Sequence, residues 1–283
     1  MVTKKDLFYI SRKNIRILGL YFALFLIAIE SLFPVVWMFI TSIKHPLDVY
    51  IVPPKVLFKP VFDNYLKVFN ETNFMLNLKN SIIASTLSTI VCILIGASAA
   101  YSMARFRTGG AYGPTMIIML RVMPPIVLII PIYVLYRAVG LYGRIEGLIL
   151  LYSVFNLPIA ILMMLTFFTR MPKEIEEAAY LDGCDELQTY IRIILPNSLH
   201  GLIATAAFIF IMCWNEFLFA VILTSESTKT APVALFGFIT HLGIPVGPVS
   251  AIGILLILPV MLLFFILQAY IVQGLTAPYI QKL

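Results

Sequence analysis

The residues of this 283-residue chain best placed to do chemistry lie between Met171 and Pro196, and the chemistry they suit is docking rather than bond breaking. The segment reads MPKEIEEAAYLDGCDELQTYIRIILP, a polar, helix-patterned island between two hydrophobic stretches. Glu177, Ala178 and Ala179 come first, Tyr180 and Leu181 follow, then Gly183, and further on Ile193, Leu195 and Pro196. Pro172 suits a first helical position, Glu174, Glu176 and Glu177 favour the positive end of a helix dipole, and Gly183 can supply a left-handed stop. A second short helix should follow, capped by Asp185 with Gln188 as its reciprocal partner, along which Leu187, Ile191 and Ile194 recur at helical spacing. A segment that only joined its neighbours could be a few residues long and would carry neither an apolar stripe nor a programmed turn. The spacing therefore predicts a folded, surface-lying helical elbow against which another molecule docks.

The elements that hold this elbow are hydrophobic. Apolar residues make up 61% of the chain and charged residues 12%, and the mean hydropathy is +0.98, which places the chain in a bilayer. Crossing roughly 30 Å of hydrocarbon takes about 20 apolar residues per helix. Six stretches qualify, at about 17–40, 81–103, 114–136, 147–168, 202–223 and 249–272. The expected class is an all-α polytopic membrane protein of six transmembrane helices. Its domains would be a cytoplasmic tail over 1–16 and a single membrane domain over 17–283, with an external loop at 42–80 and the cytoplasmic elbow at 170–199. The first apolar run is too long for a cleaved signal and is read as an uncleaved span. Lys and Arg divide eleven to eight between the two sides, with Arg121 inside a span and five of the eleven crowded into the N-terminal tail. The positive-inside rule then puts both termini and the elbow in the cytoplasm of a multi-pass cell-membrane protein. Basic residues facing anionic membrane lipid account for the net charge of +6 without any nucleic acid.

Polar groups at membrane depth are the other chemical candidates, and Arg121, Asn156, Asn215 and Glu216 are those expected along a translocation path. A charge at mid-bilayer costs about 2.5–3.5 kcal/mol on insertion scales, so Arg121 needs a partner, a cavity or an interfacial depth. Pro124, Pro125 and Pro131 break the same stretch, and broken backbone is tolerated only against protein or a wet cavity. Asn156, Asn215 and Glu216 either satisfy bonds between helices or touch a solute, and Glu216 could instead sit at the outer exit of its span. Glu30 poses the same choice between pairing and protonation. The stretch from Asn80 to Arg105 is rich in Ser, Ala, Gly and Thr, which allows close helix packing and predicts a place inside the bundle. Prolines 46, 53, 54 and 60 argue for an irregular external wrap, with a short amphipathic helix over 62–69.

Several chemistries find no support in the residues. No Gly-rich phosphate loop is present, so the chain should not hydrolyse ATP, and no nucleophile elbow or metal-binding histidine pair occurs. His45, His200 and His241 are isolated, and Cys92, Cys184 and Cys213 are expected as free thiols; no metal site and no cofactor is indicated. An ion-coupled secondary transporter is the rival reading, since it too would use broken helices and buried charges, but it has no use for a docking elbow.

The pattern Glu177-Ala178-Ala179, Gly183, Ile193, Leu195-Pro196 resembles the EAA loop in the permease subunits of binding-protein-dependent ABC importers. Further segments are similar, in order, to the carbohydrate-uptake group and its six-span permease of the maltose-importer type. They are FPVVWMFITSIK (33–44), NSIIASTLST (80–89), AAYSMARF (99–106), IPIYVLYRAVGLYGRIEGLIL (130–150), WNEFLFAVILT (214–224) and the tail QGLTAPYIQKL (273–283). One departure is His200, near where such permeases often place a second proline after Pro196, which leaves the start of the fifth span open by a few residues. The resemblance implies a type I, MetI-like permease fold and a heterodimer with a second permease. It also implies two copies of a cytoplasmic ATPase that bind ATP and Mg, an external solute-binding protein, and a sugar as solute. It makes the elbow a coupling helix seated on the ATPase. There Ala178 and Ala179 would permit close approach, Tyr180 and Leu181 fill a pocket, Glu177 meet a basic residue, and Gly183 turn the chain away.

Overall fold

Backbone amides in hydrocarbon have no water to bond, so the apolar runs of this chain satisfy them within helices. The computed structural model describes residues 4–238 and 244–280, with side chains over 17–238 and 244–268. In chain order the helices are α1 (Lys4–Ser42), α2 (Asp63–Glu71), α3 (Phe74–Phe106), α4 (Gly113–Met119), α5 (Pro125–Ala138), α6 (Ile145–Arg170), α7 (Glu174–Leu181), α8 (Glu186–Thr189), α9 (Leu195–Asn197), α10 (Leu199–Trp214), α11 (Leu218–Leu223), α12 (Ala231–Phe236) and α13 (Val246–Ile280). A π-helical turn, Tyr190–Ile194, joins α8 to α9. Among the described residues there is no strand, and the chain is all-α.

Among the described residues four helices are long and apolar enough to cross a bilayer: Ile17–Ser42 of α1, α3, α6 and Val246–Gln268 of α13. The expected third and fifth spans take other forms. The span expected over 114–136, where the prolines were expected to break the helix, is in two pieces: α4 stops at Met119 and α5 starts at Pro125, since Pro124 and Pro125 bring no amide hydrogens to continue the ladder. Where an unbroken helix was expected over 202–223, α10 ends at Trp214 and α11 starts at Leu218. At its other end α10 meets the Glu186–Asn197 segment at a bend of 75°. The start that His200 left open is Leu199. Helix α3 begins at Phe74, inside the segment expected to be loop, while α2 supplies the short helix that the pattern over 62–69 foretells.

The residues group into two units, Met1–Thr72 with Phe238–Leu255, and Asn73–Gly237 with Leu256–Leu283. In the first, Asn64 of α2 is buried and donates from Nδ2 to the carbonyls of Ser42 (2.9 Å) and Lys44 (2.8 Å), tying α2 to the end of α1. The apolar side chains of α1 are largely exposed between Ile17 and Phe39, as a surface for lipid or another subunit must be.

The second unit is built on α3, α6 and α10, which pack against one another in every pairing. The buried positions of α3 include Ser81, Ala84, Ser85, Ser88, Cys92, Gly96, Ala97 and Ala100, so the small-residue stretch does lie inside the bundle. Its backbone comes so close to α6 that a Cβ on Gly96 would stand 2.9 Å from the Cβ of Ala160. Leu148, Tyr152, Ile209 and Cys213 complete the packed layer around Ala84 and Cys92. Hydroxyls in this layer bond to backbone within it: Ser88 donates to the carbonyl of Ile149 (3.1 Å) and Ser153 to the same oxygen (2.7 Å).

Candidate functional site

The elbow is built from two local stops that the sequence encodes. Helix α7 ends in a left-handed residue, Gly183 at φ +86. The amide of Cys184 donates to the carbonyl of Ala179 (3.0 Å) and that of Gly183 to Tyr180 (3.1 Å), the two bonds of a Schellman motif. Helix α8 then opens with the expected capping box: Asp185 Oδ1 accepts from the amide of Gln188 (2.7 Å), and Gln188 Oε1 accepts from that of Asp185 (3.3 Å). Helix α7 itself starts at Glu174, so Pro172 lies ahead of its first turn rather than within it, and the amides of Glu176 and Glu177 close on the carbonyl of Lys173.

Burial sorts the elbow residues into an outer and an inner set. Glu177, Ala178, Tyr180, Leu181 and Gly183 are exposed, and Leu181 is 90% so. Ala179 is buried beneath them. Ile193 and Leu195 are half-buried, and Pro196 is exposed where the chain bends into α10. The expected stripe of Leu187, Ile191 and Ile194 is divided, with the first two exposed and Ile194 fully buried. The π turn causes this, because its longer repeat rotates the residues after it relative to α-helical spacing.

Two residues that sequence reasoning passed over as site members hold the elbow in place. Arg105, near the end of α3, donates from Nε to Oε1 of Glu176 at 2.5 Å, and from Nη2 to the carbonyl of Met171 at 3.1 Å. Both side chains of this ion pair are under a tenth exposed, at 7% and 8%. Above it, Tyr101 stacks on Tyr190 of the π turn with ring centroids 4.8 Å apart and meets Phe168 edge-on. The hydroxyls of Ser98 and Tyr190 are 3.2 Å apart. The only trace of this arrangement in the sequence is that Ser98, Tyr101 and Arg105 share one helix face.

The four polar residues at membrane depth are not brought together. Asn156 is buried between α6 and α10, donating from Nδ2 to the carbonyl of Tyr152 (2.9 Å) and to Sγ of Cys213 (3.4 Å). Glu216 sits in the break before α11, and its carboxylate accepts from the amides of Phe219 (2.9 Å) and Ala220 (3.2 Å), closing that helix start. Arg121 is exposed in the break between α4 and α5, and Asn215 is exposed just beyond α10. Glu30 is exposed on α1. Cys92 and Cys213 are buried free thiols and Cys184 is half-buried in the elbow. Among the described residues no His, Cys, Asp and Glu side chains gather in a group that could hold a metal ion; His241 lies outside them, as do the side chains of the 273–283 tail.

Several bilayer-length helices, two broken ones and an amphipathic elbow define a multi-pass helical membrane protein of the permease type. Residues 92–277 match the family of binding-protein-dependent transport system inner membrane components, and the chain belongs to it. It is the translocation subunit of an ABC importer, which sets aside the ion-coupled carrier as a reading. It is 37% identical over 250 residues to a probable ABC transporter permease protein, y4oR, of Sinorhizobium fredii, covering 88% of this chain and 90% of that one. It is 34% identical over 258 residues to the trehalose/maltose transport system permease MalG of Thermococcus litoralis, covering 89% and 92%. The fold is similar to that in the crystal structure of a bacterial ABC transporter involved in import of the acidic polysaccharide alginate. There the TM-score is 0.72 at 22% identity, over 95% of this chain and 99% of that chain.

Proposed function

We propose that this subunit forms half of the passage for a mono- or oligosaccharide and takes its motive force through the α7 elbow from a cytoplasmic ATPase. The observation that carries the reading is the outer face of α7, where Tyr180 and Leu181 stand exposed beside Glu177 and Ala178 on a helix whose C-terminus is closed by a Schellman turn and followed at once by the capped start of α8. Exposed aromatic and aliphatic side chains on a rigid polar segment are what a partner's cleft selects. Glu177 pairs there with a basic residue, and Ala178 lets the two surfaces close. The inner set, Ala179, Ile193 and Leu195, holds the bend together with the exposed Pro196, and Gly183 sets the angle at which α7 is presented.

A second permease completes the passage, two copies of the ATPase bind ATP and Mg, and an external binding protein delivers the solute; this chain needs no ATPase site of its own. Both termini and the elbow face the cytoplasm, and 42–80 faces outward. When the ATPase pair closes, the elbow is displaced as a rigid piece and biases the helices between inward-facing and outward-facing states. Sugar as the solute class is supported by the trehalose/maltose permease among the similar proteins. Along the passage, Arg121 and Asn215 are the residues offered to solute, because both are exposed, although Asn215 Nδ2 also bonds the carbonyl of Ile211 (2.9 Å), while Asn156 is buried and the Glu216 carboxylate closes the start of α11.

The test is a cysteine at Leu181 in membranes that carry the whole importer. A short bifunctional reagent should join this subunit to an ATPase of the complex. Crosslinks only to external protein, or none to a nucleotide-binding subunit, would sink the reading.

A further inference from the structure

Two routes exist by which motion of the elbow can enter the membrane helices. One is covalent, through α6 before it and α10 after it. The other is the contact with α3, which shares no loop with the elbow and packs against both α6 and α10. The character of that contact decides its role. Apolar packing alone would hold the helices together at least as well as a buried ion pair, because desolvating two charges offsets most of their attraction. What a guanidinium adds is direction: its planar fork fixes the carboxylate and a carbonyl at defined angles, where greasy surfaces slide. Arg105 uses that fork on two elements at once, Glu176 in α7 and the carbonyl of Met171 at the end of α6. One turn higher on the same face of α3, Tyr101 and Ser98 grip Tyr190 in the π turn. Both limbs of the elbow, on either side of Gly183, are thus fastened to one helix face.

We propose that Arg105 is a positioning residue for transport: through Glu176 and Met171 it clamps the coupling elbow to α3, so that a push on α7 is delivered to a helix that packs against both α6 and α10. The inference rests on the docking of α7 onto the ATPase. With the clamp loosened, α7 still docks but rocks against α3, and nucleotide is hydrolysed with little solute moved.

The experiment uses the complete importer in proteoliposomes with its binding protein and solute, and measures solute taken up per ATP hydrolysed. The Leu181 crosslink is scored in each variant. Arg105→Gln should keep the crosslink and lower the ratio about ten-fold, the size of an ordinary coupling free energy. Arg105→Lys keeps the charge opposite Glu176 but loses the fork, and should fall between Gln and the parent. The exchange Arg105→Glu with Glu176→Arg should recover part of the ratio, because the ion pair returns while the bond from position 105 to the carbonyl of Met171 does not. A crosslinked Arg105→Gln importer with the parental ratio overturns this inference while leaving the docking reading intact. No crosslink in the parent overturns the docking reading and this inference with it. Loss of assembled complex in every variant, with the parental ratio in whatever remains, assigns the pair to folding alone and likewise overturns the proposal.

Discussion

Gly183 shows how a single residue sets the presentation of the docking helix. Its φ of +86 costs an L residue about 1–2 kcal/mol, and more for a branched one, whereas Asn tolerates it. A Cβ there meets nothing within 4 Å, so the cost of substitution is backbone strain and not crowding. Gly183→Asn is therefore expected to retain most uptake, while Gly183→Val loses most of it at equal membrane abundance, because the Schellman turn opens and α7 swings out of register. Uptake per assembled complex reads this directly, and equal uptake by the two variants would rule it out. The same position was legible in the sequence, as were Asp185 and Gln188, because caps depend on neighbours three or four residues away. Arg105 and Glu176 were not, since they lie 71 residues apart and no local pattern ties one to the other.

Helix packing follows from residue size, and the contact of α3 with α6 turns on Gly96 and Ala160. At 2.9 Å between an added Cβ and that of Ala160, Gly96→Ala requires the helices to part by a few tenths of an ångström, an overpacking cost of about 1–3 kcal/mol. The reciprocal pair Gly96→Ala with Ala160→Gly returns the missing space and should regain most of the lost thermal stability in detergent. If the pair is no more stable than Gly96→Ala alone, the contact is not the close approach described. The proline-marked break between α4 and α5 was visible in the sequence because Pro removes a donor wherever it sits. The break at Asn215–Phe217 was hidden: WNEF carries neither proline nor glycine, and the apolar average runs straight across it. A π turn has no residue signature, so the division of the Leu187, Ile191 and Ile194 stripe was equally hidden.

For the molecule as a whole, the three cysteines are a built-in test of orientation. Cys92 and Cys213 are buried in the core and Cys184 lies in the elbow, so a membrane-impermeant maleimide should label Cys184 alone. With the elbow in the cytoplasm, labelling is expected in inside-out vesicles and absent in right-side-out ones. A Cys184→Ala variant should abolish it, and labelling from the outer side would invert the topology. The exposed apolar flank of α1 means that this chain reaches its working surface area only with lipid or a second permease against it, so its stability belongs to the assembly.

The π turn at Tyr190–Ile194 has a consequence for how such elbows tolerate change. It amounts to one surplus residue wound into a helix, and an α-helix advances about 100° per residue. Because the widened turn already absorbs that residue, removing one of the five would let the coil tighten to an ordinary α-helix while α8 and α10 keep their facing, whereas a one-residue change in the α-helical turns on either side would twist the elbow by roughly that angle. Length within the turn is therefore forgiving: a one-residue deletion there should leave the docking face on its compass bearing, and the same deletion in α10 should not.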